Sequence, residues 1–236
     1  MLAKFCFMWL SLMVLTCAVF AQDETAVSFN DSALPQTSKN INEFVPEGWK
    51  IEEQKTGDLN ADSLPDVALK LIEISAETAA SDNPVSRSRV LMILFKNKTG
   101  VFERVAVAKT LLQCTGCGGA FYGVSEAPAN VKIDKGILVV DQDNGSRNVF
   151  NETFKFRYDA KVKKFALIGF DTSDSDRLTG ATTAESINYL TGTKVKKTWQ
   201  YNQRTDKTVA KPDKKSSVAK TPIYLEKINY ETFGNR

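Results

Sequence analysis

The sequence predicts an all-β fold of antiparallel hairpins, forming a sandwich or a partly closed sheet rather than a complete propeller. Three strand–turn–strand patterns predict it. The apolar run Arg89-Val90-Leu91-Met92-Ile93-Leu94-Phe95 is followed by a turn at Lys96-Asn97-Lys98-Thr99-Gly100 and by Val101–Ala108, which returns antiparallel. Phe154, Phe156 and Tyr158 alternate with Thr153, Lys155 and Arg157, turn at Asp159-Ala160-Lys161, and meet Lys164–Phe170. That alternation puts the aromatic side chains on the core face. Val131–Asp134, Lys135-Gly136 and Ile137–Val140 form a third, shorter pair.

Taken in order, residues 1–21 read as a secretory signal. Lys4 is followed by an apolar run from Phe5 to Phe20, and Val19-Phe20-Ala21 precedes Gln22 as a cleavage site. A membrane anchor is the alternative, but the run is slightly short of the roughly 20 apolar residues a span needs and a polar, acidic stretch follows at once. Cys17 suggests a lipoprotein, although Val14-Leu15-Thr16 is a poor lipobox. No second long apolar run occurs, so the mature chain is expected to be exported, periplasmic or secreted, with no membrane span.

Residues 22–44 are polar and mixed and read as a flexible leader, ending in a helical turn around Asn40–Phe44. Pro46-Glu47-Gly48 makes a turn, and a β domain is expected over 45–200. Its first strand starts at Trp49. It leads to Gly57-Asp58-Leu59-Asn60-Ala61-Asp62-Ser63-Leu64-Pro65-Asp66, in which oxygen-bearing side chains stand at loop positions 1, 3, 5 and 9. Such a loop suits a hard cation, since calcium takes six to eight oxygen ligands. Val67–Ile74 is strand-like, with Val67, Leu69 and Leu71 on one face. Glu77–Ser88 is a polar loop. The strand Arg89–Phe95 is apolar nearly throughout, so it is expected to be central or buried on both faces.

Residues 48–105 resemble a single FG-GAP, or VCBS-type, repeat of β-propellers such as the integrin α head. The resemblance is carried by Asp58-x-Asn60-x-Asp62-x-x-x-Asp66, the apolar strands, the turn at Gly100 and Phe102. It implies calcium held by Asp58, Asn60, Asp62 and Asp66, with the Leu64 carbonyl as a further ligand. The family places glycine at loop position 6, where Ser63 stands here, which weakens affinity or shifts geometry. A propeller needs roughly four to eight such units and one is found. The whole chain resembles small exported bacterial proteins of unknown function that carry one such unit.

Cys114-Thr115-Gly116-Cys117 follows. In an oxidising compartment Cys114 and Cys117 are expected to pair. The glycines around them argue against a helix start, so a local disulfide is preferred to a thioredoxin-like redox motif. Asp141–Ser146 reads as a second acidic loop, explained by turn chemistry, and Asp171–Asp176 is acidic too. Ser186–Gly192 reads as a strand and turn, and Lys194–Trp199 as a strand with a basic outer face. Residues 201–236 read as a Lys-rich linker with a last strand through Ile223, Leu225 and Ile228.

The chain of 236 residues has no histidine and a formal charge of +3. Ser-His-Asp and Cys-His catalysis and imidazole–zinc sites are therefore excluded. The charge makes no case for nucleic acid, while the basic residues from Lys194 onward form a tail able to meet an anionic surface. The sequence points to an exported, non-enzymatic protein of unknown partner with a structural calcium loop. A secreted hydrolase using paired carboxylates and a redox protein using Cys114 and Cys117 are the alternatives.

Overall fold

The computed structural model describes residues 28–74, 86–123, 125–202 and 204–233. The expected signal at 1–21, with Cys17, and most of the Glu77–Ser88 loop lie outside the described residues. In chain order the strands are β1 (Thr37–Ser38), β2 (Trp49–Gly57), β3 (Asp66–Glu73), β4 (Arg89–Lys96), β5 (Phe102–Ala108), β6 (Ala129–Asp134), β7 (Ile137–Gly145), β8 (Asn148–Asp159), β9 (Lys164–Asp176), β10 (Thr182–Asn188), β11 (Thr193–Asn202), β12 (Lys207–Ala210) and β13 (Lys214–Ser217). They form two antiparallel sheets, ordered β1-β5-β4-β3-β2 and β12-β11-β10-β9-β8-β7-β6, with β13 also pairing β11. Neither sheet closes into a barrel among the described residues. Among them, too, no helix is long and apolar enough to cross a membrane.

The fold is all-β, and the two sheets share one core. Leu91, Ile93 and Ala106 of the smaller sheet pack with Leu138, Val140, Phe154, Phe156, Phe165 and Phe170 of the larger one. The opposite face of the smaller sheet is buried as well. Val67, Leu69, Leu71, Val90, Met92 and Leu94 lie under Phe44 and Trp49, with Phe29, Leu34 and Ile41 against them. This second cover explains why β3 is buried along its whole length, and why β4 reads as a continuous apolar run.

The segment read as a flexible leader supplies that cover. Its β1 pairs with β5, and a 3-10 turn at Ile41–Phe44, where a helical turn was expected, plants Phe44 in the core. Both acidic stretches after residue 140 belong to strands: Asp141–Gly145 continues β7 and Asp171–Asp176 continues β9. Their outward carboxylates have cross-strand partners, with Lys132–Asp141 at 3.2 Å and Lys155–Asp171 at 2.6 Å. A polar run with such pairs needs no turn. The Lys-rich stretch carries β12 and β13, both fully exposed, on the edge of β11. In place of a last strand, Tyr224 makes one bridge to Ala166. The chain then coils through a 3-10 turn at Leu225–Lys227 and a helical turn, α1 (Tyr230–Phe233). Leu225, Ile228 and Phe233 thereby plug the core.

Candidate metal loop and ligand cleft

The acidic loop connects β2 to β3, whose hairpin register closes at Gly57 opposite Asp66. Asp58 organises it. Its Oδ1 accepts from the N–H groups of Ala61 (2.7 Å) and Asp62 (3.2 Å), and its Oδ2 from that of Ser63 (2.9 Å). These bonds, that of Ser63 foremost, hold the Asp58 carboxyl below its usual range. Asn60 Oδ1 accepts from Asp62 N–H, and Asp62 Oδ1 from Leu64 N–H. Asp66 is fully buried; its Oδ2 accepts from Leu59 N–H at 2.9 Å and its Oδ1 from Lys96 N–H at 3.1 Å, tying the loop to β4. Burial raises the Asp66 pKa, and the nearby charges of Asp62 and Asp58 add to the rise. The Leu64 carbonyl accepts from Asp66 N–H.

Ala61 and Ser63 both have φ of +65°. Ser63 therefore occupies a left-handed position, the conformation for which glycine is suited at loop position 6. The donor set fits calcium in kind: three carboxylates and an amide oxygen, with no ion pair to any of them among the described residues. It is not gathered as a cage. Among the described residues no three acidic or thiol side chains stand close enough together to hold an ion. The Asp58 carboxylate is turned instead to the loop's own N–H groups, and that of Asp66 to Leu59 and Lys96 N–H.

Cys114 and Cys117 form a disulfide, with Cα atoms 5.1 Å apart. It closes a tight turn that runs directly into a 3-10 turn at Gly119–Phe121, with Gly118 as its N-cap, so a short helical turn does start after Cys117 where the glycines argued against one. The Gly118 carbonyl accepts from Gly145 N–H at 2.9 Å, so this turn lies backbone to backbone against the end of the β7–β8 hairpin.

The second site was not foreseen from sequence. On the inner face of the larger sheet, residues directly opposite one another form rows. Val140, Phe154, Phe170 and Ile187 make one row, which belongs to the core. The next row is Gln142, Glu152, Thr172, Glu185 and Lys196. Here the face changes from apolar to polar and opens into a cavity of about 480 Å3, closed on one side by Tyr230 and Glu231 of α1. The Tyr230 hydroxyl oxygen lies 2.9 Å from Cys117 Sγ, so the disulfide packs against this wall. Burial pushes the phenol up to about 12.

The two glutamates of the row have opposite environments. Burial pushes the Glu152 carboxyl up to about 7, with no compensating partner among the described residues. Burial acts on Glu185 too, but hydrogen-bonded ion pairs to Lys194 (2.5 Å) and Lys196 (3.2 Å) outweigh it and hold that carboxyl below its usual range. The only advance signal of the cleft was Glu152 breaking the aromatic alternation of Phe150, Phe154 and Phe156. Comparisons with protein-family models, with curated proteins and with solved structures find no match to this chain.

Proposed function

We propose that the chain is an exported binding protein rather than an enzyme, that the cleft holds its ligand, and that the Asp58–Asp66 loop is a structural calcium brace. The cleft carries the reading. It is a cavity of about 480 Å3, within the size range of small-molecule sites, with polar side chains converging from adjacent strands. Export is supported by the apolar run after Lys4 and by the Cys114–Cys117 disulfide, which suits an oxidising compartment. The calcium role is supported by the resemblance of residues 48–105 to a calcium-loop repeat, by the consecutive antiparallel order of β2 to β5, and by the all-oxygen donor set of Asp58, Asn60, Asp62, Asp66 and the Leu64 carbonyl. A cation there relieves the mutual repulsion of three carboxylates and fixes the turn.

Calorimetry tests the brace. Calcium binding is expected, abolished by Asp58→Ala with Asp62→Ala and tightened by Ser63→Gly, which removes a left-handed strain of about 1–2 kcal/mol. Absence of calcium binding to the folded protein refutes it. The cleft is tested by nuclear magnetic resonance titration with small polar and aromatic compounds, where shifts confined to Glu152, Thr172 and Glu185 are the expected result.

One observation favours a second reading. Glu152 and Glu185 face one cleft, two strand spacings or about 10 Å apart at the backbone, one about half protonated at neutrality and the other ionised. That division of roles suits a carboxylate pair in glycoside hydrolysis. Release of reducing sugar from oligosaccharides, lost in both Glu152→Gln and Glu185→Gln, would replace the binding-protein reading.

A further inference from the structure

The cleft lining carries four carboxylates, on Glu152, Asp174, Glu185 and Glu231, against the one ammonium of Lys196. The chain as a whole carries +3, so the cleft is an anionic hollow in a cationic protein. Three of these carboxylates have partners. Asp174 accepts from Asn148 Nδ2 at 2.8 Å, Glu185 pairs with Lys194 and Lys196, and Glu231 accepts from the Tyr230 hydroxyl at 3.3 Å. Glu152 has neither a hydrogen-bond nor an ion-pair partner among the described residues. Neither of its row neighbours hydrogen-bonds to it. Gln142 is committed to Gln113 N–H and to the Leu111 carbonyl, and Thr172 is uncharged. Glu152 is half-buried and faces the cleft, so solvent alone completes its hydrogen bonding there and an arriving donor takes the place of water. At the mouth stands Phe150, 41% exposed, a ring able to meet a cation or an apolar body.

We infer that the cleft binds a small organic cation, an amine with an aromatic or apolar body, its ammonium on the Glu152 carboxylate and its body against Phe150. This rests on the reading of the cleft as a ligand site and names the class of ligand. The cavity is far larger than a single metal ion fills, and no three acidic side chains are gathered for one among the described residues. An ammonium supplies the donors that Glu152 lacks, and the surplus of negative charge selects against anions.

Calorimetric titration of the purified protein with phenethylamine, 2-phenylethanol and 3-phenylpropionate, which share a ring and differ in charge, tests it. Phenethylamine is expected to bind at least about tenfold more tightly than the other two. Glu152→Gln should weaken the amine by about tenfold or more and leave the alcohol unchanged. Lys196→Gln should tighten the amine, because it removes a repelling charge. Opposite responses of two substitutions cannot come from misfolding. Equal binding of amine and alcohol, or amine binding untouched by Glu152→Gln, overturns the cation assignment and leaves the ligand-site reading standing. Failure of all three compounds to bind overturns both.

Discussion

Glu152 holds a carboxyl that no described residue hydrogen-bonds or pairs, and its burial is expected to cost stability. Its folded pKa, about 7, lies above the ordinary 4.5, so the fold favours the protonated form. The unfolded chain releases this proton first as pH rises. The contribution of Glu152 to stability is therefore greatest below about 4.5 and falls as pH climbs through 7, by up to roughly 3 kcal/mol, while the carboxyls held below their usual range, Asp58 and Glu185 among them, contribute in the opposite sense at low pH. Gln142 and Thr172 beside it do not titrate, Glu185, Asp174, Glu231 and Lys196 also line the cleft, and burial is the cause of the shift. Glu152→Gln should raise the urea midpoint at pH 8 and leave it nearly unchanged at pH 4; equal effects at both pH values would contradict this account. The residue itself was visible in the sequence as a polar interruption among aromatics. Its missing partner was not, because partners are set by strand pairing.

At the scale of the element, the turn Cys114–Gly119 shows why a glycine cluster follows a disulfide. A Cβ on Gly119 would strike the carbonyl oxygen of Gly145, and the residue has φ of +68°. Gly123 has a similar φ of +57° but open space around it. Both substitutions by alanine incur the left-handed penalty, about 1–2 kcal/mol. Only Gly119→Ala must also push the β7–β8 hairpin away. Urea unfolding should show Gly119→Ala more destabilising than Gly123→Ala by at least about 1 kcal/mol, with the Tyr230 wall of the cleft disturbed in the first alone. The local disulfide was legible from Cys-x-x-Cys without a helix pattern. The strand character of Asp141–Gly145 and Asp171–Asp176 was not, since acidic residues on the wet face of a long strand look like turn residues until their cross-strand lysines are known.

For the whole molecule, the join between the sheets is partly ionic. Arg89 of β4 is 4% exposed. It donates from Nε and Nη2 to the Glu52 carboxylate at 2.9 and 2.8 Å, and from Nη1 to the Ala127 carbonyl at 2.7 Å, just before β6. Lys70 of β3 reaches the Ala129 carbonyl of β6 at 2.9 Å. The two cations thus bind carbonyls of the larger sheet while neutralised by glutamates of the smaller one. Arg89→Ala leaves Glu52 and the Ala127 carbonyl without the guanidinium and should cost roughly 3 kcal/mol, the range for breaking a buried pair, read as a lower urea midpoint at unchanged slope. A loss below about 1 kcal/mol would show that water replaces the guanidinium there.

Alternation and turn chemistry in the sequence alone determined the all-β class, the hairpins β4–β5, β6–β7 and β8–β9, the exclusion of histidine chemistry and the acidic loop with its left-handed position at Ser63. These are properties of near neighbours, governed by backbone sterics and by the two-residue period of a strand. The tertiary structure decided what distant segments do to one another. It laid residues 28–49 over the smaller sheet, seated Arg89 and Lys70 as buried ties, and set Glu152, Glu185 and Tyr230 around one cavity. Such meetings depend on strand order and register, in which a shift of one residue sends every side chain to the other face, and no local pattern records them.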